Sequence, residues 1–142
     1  MAHKLGCKEE VIFAGGVKDT EKYYSAADIL VHPTFYDSFA RVVLEALASG
    51  LPVITTRYAG AGWIISEGEE GFVLEDPRDV EDLAEKILYF VDPMRLQKAS
   101  TAARRLAQQY SRKRCYQEML KILQEIGTCH RRYKNSLKDR NA

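Results

Sequence analysis

Several things are scarce in these 142 residues, and each scarcity closes off a class of protein. Cysteine is one: Cys7, Cys115 and Cys129 are odd in number, with no CxxC pair and no Cys/His spacing. That argues against a disulfide framework or a zinc site and suits a reducing compartment. Net charge is another. At +1, with 21 Lys and Arg against 20 Asp and Glu, nothing marks the whole chain as a binder of nucleic acid or of membranes. No apolar run approaches the roughly 18 residues that span a bilayer. The stretch from Met1 to Glu10 lacks the apolar core of a signal peptide. These absences predict a cytoplasmic protein, in at most weak peripheral contact with the inner face of the membrane. There is also no phosphate-binding Gly-rich loop of the GxxxxGK[ST] kind and no set of residues with metal-ligand spacing.

What is present is an alternation of short apolar runs with helical stretches. Val11-Ile12-Phe13-Ala14, Ile29-Leu30-Val31-His32, Pro52-Val53-Ile54-Thr55-Thr56 and Gly71-Phe72-Val73-Leu74 are bounded by Gly or Pro. They read as four strands, and their near-continuous apolarity suits a parallel sheet buried on both faces. Thr20 to Ala27 reads as a short helix. A second runs from about Phe39 to Ser49, with Ser38 as its cap and Gly50 as its stop. Its Val43, Ala46 and Leu47 share one face, suited to packing on the sheet. Trp63 to Ser66 reads as a helical turn. Asp79 caps a helix from Val80 to Phe90, and Asp92-Pro93 opens another. Ser111 opens a last helix with Tyr116, Met119, Leu120 and Leu123 on one stripe, expected to end near Gly127. The fold class is therefore α/β, a doubly wound Rossmann-like parallel sheet with C-terminal helices. Residues 1–127 form the domain. Residues 128–142 are expected to be a disordered basic tail, in which Arg131, Arg132, Lys134, Lys138 and Arg140 face one acid, Asp139.

In such sheets ligands bind at the carboxyl ends of the strands, and the polar and glycine residues gather there. Gly15-Gly16 follows the first strand, Pro33 to Ser38 the second and Arg57 to Gly62 the third. The middle loop runs into a helix N-terminus, where free amides and the helix dipole favour a phosphate. Asp37 stands just before that helix and Glu45 eight positions later, on a similar side at 3.6 residues per turn. A carboxylate with two acceptor oxygens suits paired hydroxyls. On spacing alone the plainer reading stands: Asp37 as a local cap, Glu45 as a solvated or Arg41-paired side chain. His32, at a strand end, reads first as a hydrogen-bonded structural histidine. Arg57 and Lys18 lie on cleft loops and offer charge to a phosphate. Tyr58 and Trp63 read as packing or rim residues, and Tyr23 and Tyr24 as helix packing.

Three stretches carry a resemblance: Ala26-Ala27-Asp28-Ile29-Leu30-Val31-His32-Pro33, then Asp37 to Glu45, then Ala46-Leu47-Ala48-Ser49-Gly50-Leu51-Pro52-Val53. Together with Gly68-Glu69-Glu70-Gly71 and Asp76-Pro77 they resemble the retaining GT-B glycosyltransferases, over residues 5 to 110. The His-Pro-Thr wording and the Asp at the first acidic place look closest to the lipopolysaccharide-core glucosyltransferase branch. The resemblance implies the C-terminal, donor-binding domain. It would transfer a hexose, by default glucose from UDP-glucose, from a nucleoside diphosphate sugar to a lipopolysaccharide or other glycan or lipid acceptor. The anomeric configuration would be retained, without metal or cofactor. Asp37 would approach the transferred sugar as the catalytic residue and Glu45 would hold the ribose. Phe39, Ala40, Arg41 and Gly16 would line the diphosphate and sugar.

The pattern also breaks. The family usually has Gly where Ala40 stands, Pro where Ser38 stands, and Glu near Trp63. The resemblance further implies two strands ahead of Val11, carrying an Arg and a Lys for the diphosphate, and a separate acceptor-binding N-terminal half. Without them the chain is expected to be a partial domain, inactive alone, with the Ile29–His32 strand as an open edge. The alternative is a non-catalytic remnant that binds a nucleotide or a partner chain. An unrelated receiver-type fold would need an acidic cluster at its first strand end, which the sequence lacks.

Overall fold

In the computed structural model the backbone of residues 2–139 and the side chains of residues 4–127 are described. Two short 3-10 turns precede α1 (Thr20–Ala26), β1 (Leu30–Val31) and α2 (Arg41–Ser49). Then come β2 (Val53–Thr56), a 3-10 turn at Gly60–Ile64, β3 (Gly71–Leu74), α3 (Val80–Tyr89), α4 (Pro93–Gln109) and α5 (Arg112–Asp139). The sheet is parallel, in the order β1-β2-β3, with Leu30 opposite Val53 and Val53 opposite Gly71.

The sheet has three strands where the sequence suggests four. Val11 to Ala14 is not a strand: among the described residues it joins no ladder, and Ile12 and Phe13 stand 89% and 87% exposed. A parallel strand exists only through the ladder it shares with a neighbour. β1 pairs with β2 along one edge and is open along the other, as the resemblance implies.

Both faces of the sheet are covered, which is why its strands read as unbroken apolar runs. Val53, Ile54, Thr55 and Thr56 are all fully buried. On one face Val53 packs with Val43, Ala46 and Leu47 of α2 and Ala103 of α4, flanked by Tyr24, Leu30 and Leu106. On the other, Ile54 and Leu74 meet Phe90 and Ala99, flanked by Ile29, Val31, Phe72, Leu83 and Leu96. The two buried threonine hydroxyls are satisfied by β1 and its loop: Thr55 donates to the His32 carbonyl and Thr56 to that of Thr34.

The caps fall where short-range chemistry dictates. Asp79 accepts the Asp82 amide at α3, and Asp92 accepts those of Met94 and Arg95 at α4. Gly50, at φ +87°, closes α2 by donating to Leu47 while Leu51 donates to Ala46. α5 differs from expectation in two ways. It passes through Gly127, which is not at positive φ, and continues to Asp139. Gly costs a helix about 1 kcal/mol but does not by itself end one. The stripe of Tyr116, Met119, Leu120 and Leu123 stands exposed. Among the described residues no helix is long and apolar enough to cross a membrane. The side chains of the basic segment 128–142 lie outside the described residues.

Candidate functional site

The loops after β1 and β2 are stitched together at the carboxyl end of the sheet. The Asp37 amide donates to the Tyr58 carbonyl at 3.2 Å, and the Gly60 amide donates back to the Asp37 carbonyl at 3.0 Å. The two loops approach so closely that a Cβ on Gly60 would lie 2.1 Å from the Ser38 carbonyl oxygen. Only glycine fits there.

This junction sets the start of α2. The Asp37 carboxylate turns inward and accepts the amides of both Phe39 and Ala40 through Oδ1. Asp37, rather than Ser38, is therefore the side chain that caps this turn, and α2 begins two residues later than expected, at Arg41. The reason is reach: Asp37 is locked to the neighbouring loop, and its carboxylate satisfies two amides that a serine one residue later cannot serve together. The next amides, of Arg41 and Val42, lie in the first turn, ahead of any intrahelical acceptor.

Between cap and helix sits Ala40, at φ +55° and ψ +74° and only 4% exposed. Among the described residues it is the one non-glycine at positive φ. An L-residue held there costs about 1–2 kcal/mol. The glycine usual in the family at this position thus answers a backbone requirement that this chain still imposes.

Glu45 lies one helical turn beyond Arg41, as the spacing predicts. Its Oε2 accepts a hydrogen bond from the Tyr24 hydroxyl at 3.2 Å, and its Oε1 lies 3.5 Å from the Arg41 guanidinium. Tyr24 is partly buried between α1 and α2. Burial, with the neighbouring Glu45 carboxylate, pushes its pKa above the ordinary 10.0. Asp37 and Glu45 share no hydrogen bond; each is held by its own partners. Arg41, Glu45, Leu44 and Ala48 line a shallow depression completed by Tyr110 and Arg112 from the α4–α5 junction.

The remaining candidates divide. Phe39 is partly exposed at the helix start. At Gly16 nothing lies within 4 Å of where a Cβ would be. Lys18 is exposed, and Arg57 pairs with Glu75 across the ends of β2 and β3, 2.5 Å apart. Trp63 is 88% exposed beside that pair, a rim residue rather than a packed one. His32 differs from expectation, since its buried Nδ1 has no hydrogen-bond partner among the described residues. Among the described residues no three His, Cys, Asp or Glu side chains cluster in a way that could hold a metal. Sequence reasoning missed the Tyr24–Glu45 bond and the contribution of Tyr110 and Arg112. No local pattern signals contacts made across 21 or more residues; only the packing of α1 and α4 on α2 creates them.

Comparison with known proteins settles the family. The model of "Glycosyl transferases group 1" matches residues 1–110. The chain belongs to that family. Lipopolysaccharide glucosyltransferase WaaG of Escherichia coli K12 is 38% identical over 85 residues, covering 60% of this chain and 23% of WaaG. The lipopolysaccharide core biosynthesis glycosyltransferase LpsE of Rhizobium meliloti is 32% identical over 125 residues, covering 87% of this chain and 36% of LpsE. Among solved structures, HepE of Anabaena in complex with UDP superposes with a TM-score of 0.81 at 26% identity, over 87% of this chain and 35% of HepE. The chain thus spans about a quarter to a third of the length of these group 1 relatives. It is a GT-B glycosyltransferase domain, similar to part of the lipopolysaccharide glucosyltransferase WaaG, as the resemblance implies.

Proposed function

We propose that this chain is the donor-binding part of a retaining hexosyltransferase, taking a nucleoside diphosphate sugar such as UDP-glucose and serving a lipopolysaccharide or related glycan or lipid acceptor. One observation carries the reading. Glu45 presents a carboxylate, held by Tyr24 and Arg41, one turn along a helix whose N-terminal amides and Arg41 guanidinium suit an anion. The superposition on a family member solved with UDP supports the same occupant.

In this reading the ribose hydroxyls donate to Glu45. The diphosphate lies at the amides of Arg41 and Val42, where the helix dipole and the guanidinium of Arg41 offset its charge. Such fixed dipoles can stabilise a diphosphate leaving group without a metal ion, so transfer is expected to proceed in the presence of a chelator. The sugar sits toward Asp37. Because that carboxylate already accepts two amides, its part is to keep the turn in shape for the sugar. The acceptor is bound by an N-terminal half outside these 142 residues, which are expected to bind donor without transferring it unaided. A cytoplasmic position, in contact with the membrane only at its surface, accords with a lipid-linked acceptor.

Replacing Glu45 by Ala is expected to weaken UDP binding by roughly 1.5–3 kcal/mol, the worth of hydrogen bonds to a charged group. Calorimetric titration of the two proteins decides it, and equal affinities would remove Glu45 from the site. The second reading, a non-catalytic remnant, is favoured by the strained Ala40 and the open edge of β1. Sugar transfer upon addition of an acceptor-binding half would dismiss it.

A further inference from the structure

A glutamate recognises two vicinal hydroxyls only when its carboxylate is held facing them, and holding a long side chain in one rotamer costs about 1.5–2 kcal/mol. Packing does not hold Glu45, whose side chain is 43% exposed. Arg41 is a loose tether: its side chain is 78% exposed and sits 3.5 Å away. Tyr24 is different. Its ring packs against the buried face formed by Val43, Leu47 and their neighbours, so the position of its hydroxyl follows from the seating of α1 on α2. That hydroxyl lies 3.2 Å from Glu45 Oε2. Tyr23, one residue earlier, is 52% exposed.

We infer that Tyr24 is a positioning residue for nucleotide recognition: its hydroxyl donates to Glu45 Oε2 and fixes the carboxylate in the orientation that receives the ribose hydroxyls. The inference rests on the donor-binding reading above. Accepting one bond from Tyr24 leaves Oε2 a second lone pair and leaves Oε1 accessible on the Arg41 side. Because burial and Glu45 keep the phenol protonated, Tyr24 is a donor throughout the neutral range. The restraint lowers what the ribose must otherwise supply to order the side chain, which is preorganisation in its ordinary sense.

The test uses the full chain as wild type, Tyr24→Phe and Glu45→Ala, each titrated with UDP and with 2′,3′-dideoxy-UDP. Phe keeps the ring and its packing and removes only the hydroxyl; thermal unfolding checks that the variant is folded. The wild type is expected to prefer UDP over the dideoxy compound, and Glu45→Ala to lose that preference. Tyr24→Phe should weaken UDP about three- to tenfold and leave the dideoxy compound unchanged. If Tyr24→Phe binds UDP as the wild type does, or weakens both compounds equally, the positioning role is overturned while the donor site stands. If Glu45→Ala keeps the preference, or the wild type binds neither compound, the donor reading falls and the role of Tyr24 with it.

Discussion

Ala40 and Tyr24 show two opposite limits on what single residues reveal. At Ala40 the departure from the family is visible in the sequence, but its meaning is not. Only the dihedrals, φ +55° in a position 4% exposed, show that the backbone still asks for glycine. Relief of about 1–2 kcal/mol of left-handed strain outweighs a lost buried methyl of about 0.8 kcal/mol. Ala40→Gly is therefore expected to stabilise the fold by up to about 1 kcal/mol, measured as a raised urea midpoint at unchanged slope. A lowered midpoint would mean that the methyl matters more than the strain. Tyr24 makes a prediction about pH. Its phenol keeps its proton to higher pH in the folded chain than in the unfolded one, first through burial and then through Glu45. Between those two values the folded state binds more protons, so stability falls as pH rises past the ordinary value of 10.0. Unfolding at about pH 9 and about pH 11 should show wild type losing more than Tyr24→Phe; equal losses would remove Tyr24 from the balance.

Among the elements, those fixed by short-range chemistry were legible. Asp79 and Asp92 are read as caps from the sequence and act as caps in the structure, since the groups they serve lie three or fewer residues away. The buried face of α2 follows from its 3.6-residue period: Val43, Ala46 and Leu47 are all fully buried. The failures are non-local. Val11 to Ala14 has the composition of a strand but joins no ladder among the described residues, and the stripe on α5 has the period of a packed helix yet stands exposed. The cap of α2 moved from Ser38 to Asp37 because a neighbouring loop, 21 residues along the chain at Tyr58, clamps Asp37 by its backbone. That clamp depends on Gly60. Gly60→Ala would put a methyl 2.1 Å from the Ser38 carbonyl oxygen and force the loops apart. The expected cost is about 1–3 kcal/mol of stability, together with a loss of UDP affinity. Thermal unfolding and titration of the variant measure both, and unimpaired UDP binding would show that the turn does not shape the donor site.

For the whole molecule, the fold class and the family were readable in the sequence because the Ala26–Pro33 and Asp37–Val53 stretches span the strand-loop-helix unit that builds the site. The number of strands was not, because pairing is decided by neighbours rather than by composition. Taken as one body, the chain offers a three-stranded sheet covered on both faces, open at the β1 edge, with Glu45, Arg41 and a helix start at one end. The central claim is that this body by itself holds a nucleoside diphosphate. Its most direct test is thermal unfolding of the wild-type chain and of Glu45→Ala, each with and without UDP. A single cooperative transition is predicted, raised by UDP in the wild type. At a hundredfold excess over the dissociation constant the gain is about 2.7 kcal/mol. At the same UDP concentration Glu45→Ala should show a much smaller rise. A transition that UDP does not move, or moves equally in both proteins, would contradict the account.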